Sequence, residues 1–286
     1  METIKNYKNY NGEMDKSIED KLFFLNDSRL YNLLNYNIVI DYGCADGNLL
    51  RELQKINPQL TLIGFDIDKE MVKLAKEKSN DIEYFDNFNS LSQYVSDIKT
   101  SNSSIAVVFS SIMHELFHYH SKITYYYFKQ LASYIQSKYI IIRDMINPEY
   151  TDKLKYDQTD TDKLKEAVVN VKTEDDNIKR ALMELMGVYG DNVEDDEAIA
   201  MMLLKYRYFT YGNWERERVE DYFSYRGHNS VEELLHALEC DLFISSYNRI
   251  YLETKRLDFI KTQTKLDFGY EYPWDTHWYG VYELNY

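Results

Sequence analysis

Residues Ile38 to Leu53 read IVIDYGCADGNLLREL: an apolar run ending in Asp41, a short loop with Gly43, Ala45 and Gly47, then a helical pattern from Asn48. Glycines in such a loop admit positive φ and bring bare backbone N–H groups up to a ligand at a helix N-terminus. Nineteen residues after Gly47 a second apolar run, TLIGF, ends in Asp66. A strand-terminal carboxylate at that distance can accept hydrogen bonds from a ribose diol, and its bland alternative is to cap the next helix. Asp41 before the loop and Asp46 within it would repel a pyrophosphate but welcome a sulfonium and an α-amino group. Ile67 would pack on one face of the base. Asp86 or Asn87, at the end of a third strand, could bond the base's exocyclic amine, and the sequence leaves both open.

A second cluster follows the apolar run SIAVVFSS. Residues 114–118 read HELFH, formally the H-E-x-x-H zinc pattern. Its position directly after a strand speaks against a zinc hydrolase, and no obvious third ligand lies at the customary interval. His114, Glu115, His118 and His120 could still form a metal-assisting set, but no metal is assigned. The favoured role is that Ser110 to Glu115 line the acceptor side of the ligand pocket. His114, with a pKa near neutrality, is then the candidate base, and Glu115 would orient it or hold an acceptor amine. The competing role of His114 is to cap a helix. Arg143 and Asp144, ending another apolar run, would form a mutual ion pair or touch the substrate.

The loop pattern D-x-G-x-A-x-G resembles the first motif of class I S-adenosylmethionine (SAM) methyltransferases, with Ala45 in place of the middle glycine. The stretches KSIEDKLFFL (16–25), IGFDIDKEMVKLAK (63–76), SSIMHEL (110–116), IIRDMI (141–146), KYRYFTYGNWERE (205–217) and LDFGYEYPWDTHWYGVYEL near the C-terminus resemble a family of bacterial and phage methyltransferases. The resemblance implies SAM as cofactor and methyl transfer as the reaction, and it attaches no acceptor. Asp41, Gly43, Ala45, Gly47, Asp66, Ile67, Asp86, Asn87 and Ser110 are the expected cofactor contacts, and His114 and Glu115 the expected catalytic residues.

These residues need elements to position them. Apolar runs alternate with helical periodicity: strands near 38–41, 60–65, 82–85, 104–109 and 139–144, and helices near 47–56, 68–79, 90–98 and 121–137. Strands separated by helices of that length predict an α/β fold, a doubly wound, mostly parallel, Rossmann-like seven-stranded sheet. The expected organisation is an N-terminal helical segment (1–36), the SAM-binding core (37–147), a helical lid without strands (148–228) and a C-terminal part completing the sheet (229–286). In that last part, helices are expected near 231–239 and 253–266 and strands near 242–252 and 276–284.

Net charge is −15, and residues 151–286 hold 17 basic against 28 acidic side chains. Nucleic-acid affinity rests on Lys and Arg neutralising phosphates, so this balance favours a small-molecule acceptor. The rival reading, a tRNA or other nucleic-acid methyltransferase, would use the Tyr206–Trp214 patch, where Arg207 and Arg216 mix with aromatics. A non-catalytic SAM-binding or partner subunit is a third possibility. Two cysteines, no signal peptide and no long apolar run predict a soluble, cytoplasmic protein with no membrane partner. The oligomeric state is left open.

Overall fold

The structure, a computed structural model, describes residues 18–22, 37–116, 126, 130–147, 223–224, 243–251 and 277–284. β1 (Ile38–Tyr42) is buried at every position. A continuous apolar run with β-branched residues belongs at the centre of a parallel sheet, covered on both faces. β1 lies between β2 (Thr61–Phe65) and β4 (Ile105–Ser110), with Ile40 opposite Ile63 on one side and Val107 on the other. β3 (Glu83–Phe85) pairs in parallel with β2, and β5 (Tyr139–Asn147) pairs in parallel with β4.

The helices between these strands follow from apolar spacing and from their caps. α1 (Ile18–Lys21) is a single short turn. α2 (Asn48–Ile56) starts directly after Gly47 and buries Leu49, Leu50 and Leu53. α3 (Lys69–Lys78) is capped by Asp68, whose carboxylate accepts from the Glu70 and Met71 amides, and it buries Met71, Val72 and Ala75. α4 (Phe88–Ile98) is capped by Asn87 in the same way and buries Leu91 and Val95. Full burial of one such leucine or valine stabilises by roughly 1.5–3 kcal/mol.

Among the described residues the sheet has eight strands, ordered β3-β2-β1-β4-β5-β8-β7, with β6 off this path beside β5. β7 is Phe243–Tyr251 and β8 is His277–Leu284. The Leu284 amide donates to the Lys138 carbonyl at 2.8 Å, so the end of β8 meets the start of β5. β8 therefore runs antiparallel to β5, and the sheet is mixed. Tyr139 Oη also donates to Glu283 at 3.1 Å.

Three features differ from the sequence expectation. The sheet is mixed, because residue alternation carries no information about strand direction. β6 (Phe223–Ser224) pairs with Ile146 and Asn147 inside the stretch expected to be strand-free, and two residues are too few to show a period. Leu131–Ile135, within the expected helix 121–137, is a π-helical turn closed by the Gln136 amide on the Leu131 carbonyl. Except for Phe223–Ser224, the expected lid (148–228) lies outside the described residues, as do the helices expected at 231–239 and 253–266.

The chain divides into two compact units. One comprises residues 11–144, 226–249 and 278–286, and the other residues 1–10, 145–225 and 250–277. Every residue of the candidate site described next belongs to the first.

Candidate active site

Because β1, β2, β3, β4 and β5 run in parallel, their carboxyl ends share one edge of the sheet. The strand order reverses between β1 and β4, where loops leave in opposite directions and open a crevice. Tyr42, Phe65 and Phe109 tie the three central strand ends together, with ring centroids 4.7 and 5.0 Å apart.

The loop after β1 turns through the left-handed region three times, at Gly43 (φ 82°), Ala45 (φ 46°) and Gly47 (φ 76°). A side chain at Gly43 would meet Ile112 at 2.9 Å, and one at Gly47 would run into the Tyr84 ring. Ala45 takes the same left-handed conformation with a Cβ, at a cost of about 1–2 kcal/mol. Strain of that kind persists where surrounding contacts hold it. Here the contacts come from β2: the Gly43 and Cys44 amides donate to the Phe65 carbonyl, and the Ala45 amide donates to Asp66 Oδ2 at 2.9 Å.

Asp66 is thus fixed by the loop, and its Oδ1 accepts from the Asp68 amide at 2.9 Å. The cap of α3 is Asp68. Ile67 beside it is 59% exposed, a large apolar side chain held at the crevice edge. At the end of β3, Asn87 Oδ1 is engaged in capping α4, whereas Asp86 is exposed at the strand end itself. Asp46 is turned toward α2 and α3, pairing with Lys78 and lying 3.8 Å from Arg51.

A cleft is lined by Ile18, Lys21, Asp41, the loop from Gly43 to Asp46, Asn48, Leu49 and Ser110. Asp41 is 3% exposed, and burial pushes its carboxyl up to about 7, against the pull of Lys21. Burial and the Arg143 charge lower Lys21 to about 8. Burial also pushes the Cys44 thiol up, so it stays protonated and unreactive at neutral pH. Ser110 Oγ is buried with no hydrogen-bond partner. A buried acid and an orphaned hydroxyl beside one glycine loop suit the amino-acid end of SAM.

β4 ends in Ser110, opposite Arg143 of β5. Ser111 follows at φ 58°, its amide donating to the Arg143 carbonyl and its Oγ accepting from Arg143 Nη1, both at 2.7 Å. Asp144, fully buried, accepts the His114 amide at 3.0 Å and lies 2.7 Å from His114 Nδ1. The sequence leaves Arg143 and Asp144 as a mutual pair or as substrate contacts; the structure pairs Asp144 with His114 and Arg143 with Ser111. The carboxylate on the His114 ring is that of Asp144. His114 is 4% exposed and is not among the residues lining the cleft, whereas Ser110 is. His118, His120 and the Tyr206–Trp214 patch lie outside the described residues.

A family profile described as a methyltransferase domain matches residues 35–187, more than half of the chain. The chain belongs to this methyltransferase family. It is a SAM-dependent methyltransferase with a class I α/β fold. Among solved structures, the methyltransferase domain of bacterial CtHen1 is similar at 14% identity and a TM-score of 0.48, over 93% of this chain and 100% of that one. The plantazolicin methyltransferase BamL, in complex with a triazolic desmethylPZN analog and SAH, is similar at 12% identity and a TM-score of 0.48, over 98% of this chain and 89% of that one. No curated protein matches the chain.

Proposed function

We propose that this methyltransferase transfers the methyl group of SAM to a small-molecule acceptor bearing an ionisable O–H or N–H. The carrying observation is the junction of the β1 loop with Asp66, where a strained glycine loop and a strand-end carboxylate are locked together by the Ala45 amide. In this reading Asp66 accepts from the ribose hydroxyls, and a carboxylate offers about four lone-pair sites for such a task. Ile67 covers one face of the adenine. Asp86 takes its exocyclic amine, because Asn87 Oδ1 serves as a helix cap. Asp41 meets the α-ammonium, the Gly43–Gly47 amides with Ala45 line the amino-acid end, and Ser110 Oγ gains the partner it lacks.

The bound cofactor supplies an activated methyl group, so the protein's task is chiefly proximity and orientation. An acceptor proton needs a base. In this reading His114, its ring held by Asp144, is that base. Glu115, half-buried on the same turn, holds an acceptor amine. Residues 148–228 serve as a helical lid, a reading supported by their charged, helical pattern in the sequence. The net charge of −15 supports a small-molecule acceptor over nucleic acid.

Calorimetric titration with SAH tests the cofactor site. Wild type binds, and Asp66→Ala weakens binding by about 2–3 kcal/mol, the loss expected when charge-assisted hydrogen bonds lose their acceptor. Binding unchanged in Asp66→Ala removes that residue from the site.

A further inference from the structure

Two consecutive residues of β5 hold the turn that leaves β4. The Ser111 amide donates to the Arg143 carbonyl and Arg143 Nη1 donates to Ser111 Oγ, both at 2.7 Å. Three residues on, the His114 amide and ring both meet the Asp144 carboxylate. Between these anchors Ile112 packs on the loop after β1: a Cβ on Gly43 would lie 2.9 Å from Ile112 Cγ1. One turn thus carries the candidate base and touches the glycine loop.

Ser111 sets the direction of that turn in a conformation costly for its residue type, with φ at 58°. Glycine takes such a φ freely, as Gly43 and Gly47 do in the loop. Serine adds a Cβ, which costs energy there, and an Oγ, which accepts from Arg143. Strain of this kind persists where its surroundings over-determine it, and it clusters at functional sites. Arg143 is buried, so its guanidinium acts from inside the sheet end, and a bond from a charged donor is stronger than one between neutral groups. The loop after β1 has its own anchors on the Phe65 carbonyl and Asp66. The Arg143–Ser111 bond therefore fixes where the turn stands relative to the loop, and not the loop itself.

We propose that Arg143 and Ser111 are positioning residues for methyl transfer: their side-chain bond holds the strained turn after β4, and with it the place of His114 relative to the loop after β1. In this role neither side chain touches cofactor or acceptor, and both act through His114. The inference rests on the reading of His114 as the base and adds the pair that aims it.

The test compares, in the full-length protein, Ser111→Ala, which keeps the strain and loses the bond, with Ser111→Gly, which loses both. Rates are read with saturating methyl-labelled SAM and the small-molecule fraction of cell extract as acceptor source. SAH affinity is read by calorimetry, and the His114 ring by nitrogen NMR, its signals assigned by their loss in His114→Gln. Ser111→Ala lowers the rate by about 10–100-fold, the scale of a misplaced catalytic group, and broadens or doubles the His114 ring signals. Ser111→Gly, the larger truncation, keeps at least about fivefold more activity than Ser111→Ala and a single set of ring signals, because its turn no longer needs holding. SAH affinity stays within about threefold in both, since the loop is anchored separately. Arg143→Gln behaves as Ser111→Ala does, and adding Ser111→Gly recovers part of the loss. Should Arg143→Gln fail to fold, the two serine variants decide alone. Equal ring signals in those two variants overturn the assignment, as does activity in Ser111→Gly no higher than in Ser111→Ala where wild type transfers. If wild type transfers nothing to the small-molecule fraction, the proposed acceptor fails instead, and the ring signals still decide the positioning role.

Discussion

Asp41 and Asp66 both end buried strands, yet their carboxylates are held differently. Asp66 is anchored by two amides, whereas Asp41 is buried, with its carboxyl raised from 3.8 to about 7. A carboxyl raised in the folded state contributes stability that is fully present below its unfolded value and lost as pH rises through about 7. Lys21, lowered from 10.5 to about 8, contributes stability that is present above its unfolded value and lost as pH falls through about 8. Near neutral pH the ligand-free protein thus holds both charges at a cost, with Asp46, Asp66, Arg143 and Asp144 acting on them. A cationic ligand reverses the balance at Asp41 by favouring its charged form. SAH affinity accordingly rises between pH 5.5 and 7.5, by up to about tenfold per pH unit below 7, with proton release visible in buffers of different ionisation enthalpy. Asp41→Asn abolishes that slope; a slope that survives the substitution places the linked proton elsewhere. At His114 the expectation is kinetic. His114→Ala lowers the transfer rate by about 10²–10⁴ with SAM affinity nearly unchanged. Asp144→Asn lowers it as well, because the ring loses the group that fixes its tautomer. A residue that only caps a turn would cost about 1 kcal/mol of stability and leave turnover intact.

The elements hold these residues through a few tight contacts. Gly64, midway along β2, has Tyr84 on β3 and Cys44 of the loop packed against it, and a Cβ there would collide with the Tyr84 ring. Gly64→Ala overpacks this junction and destabilises by about 1–3 kcal/mol, read as a lower urea midpoint at unchanged slope. A midpoint equal to that of wild type would show that Tyr84 swings away at no cost. Much of this architecture is legible in the sequence, because β1, β2, β4 and β5 are continuous apolar runs and α2, α3 and α4 carry helical periodicity behind Gly47, Asp68 and Asn87. Asp41 and Asp66 are legible for the same reason: each is a charge ending such a run. The His114–Asp144 pair is not, since its members lie thirty residues apart and meet through the β4–β5 register. Lys21 is equally hidden, a charged residue in a short amphipathic stretch that burial alone singles out. The direction of β8 and the two-residue β6 leave no periodic trace.

At the scale of the molecule, the crevice belongs to the unit comprising residues 11–144, 226–249 and 278–286, which supplies both the loop after β1 and the His114–Asp144 pair. Among the described residues no helix is long and apolar enough to cross a membrane. The proposed small-molecule acceptor is in keeping with the strongly negative chain, which disfavours a polyanion. The most direct measurement supplies methyl-labelled SAM and cell extract to the full-length protein, then counts label in small-molecule, protein, RNA and DNA fractions. The account predicts label in the small-molecule fraction with wild type, and its loss with Asp66→Ala and with His114→Ala, the latter still binding SAH. Label in RNA or DNA, or transfer that survives both substitutions, would contradict it.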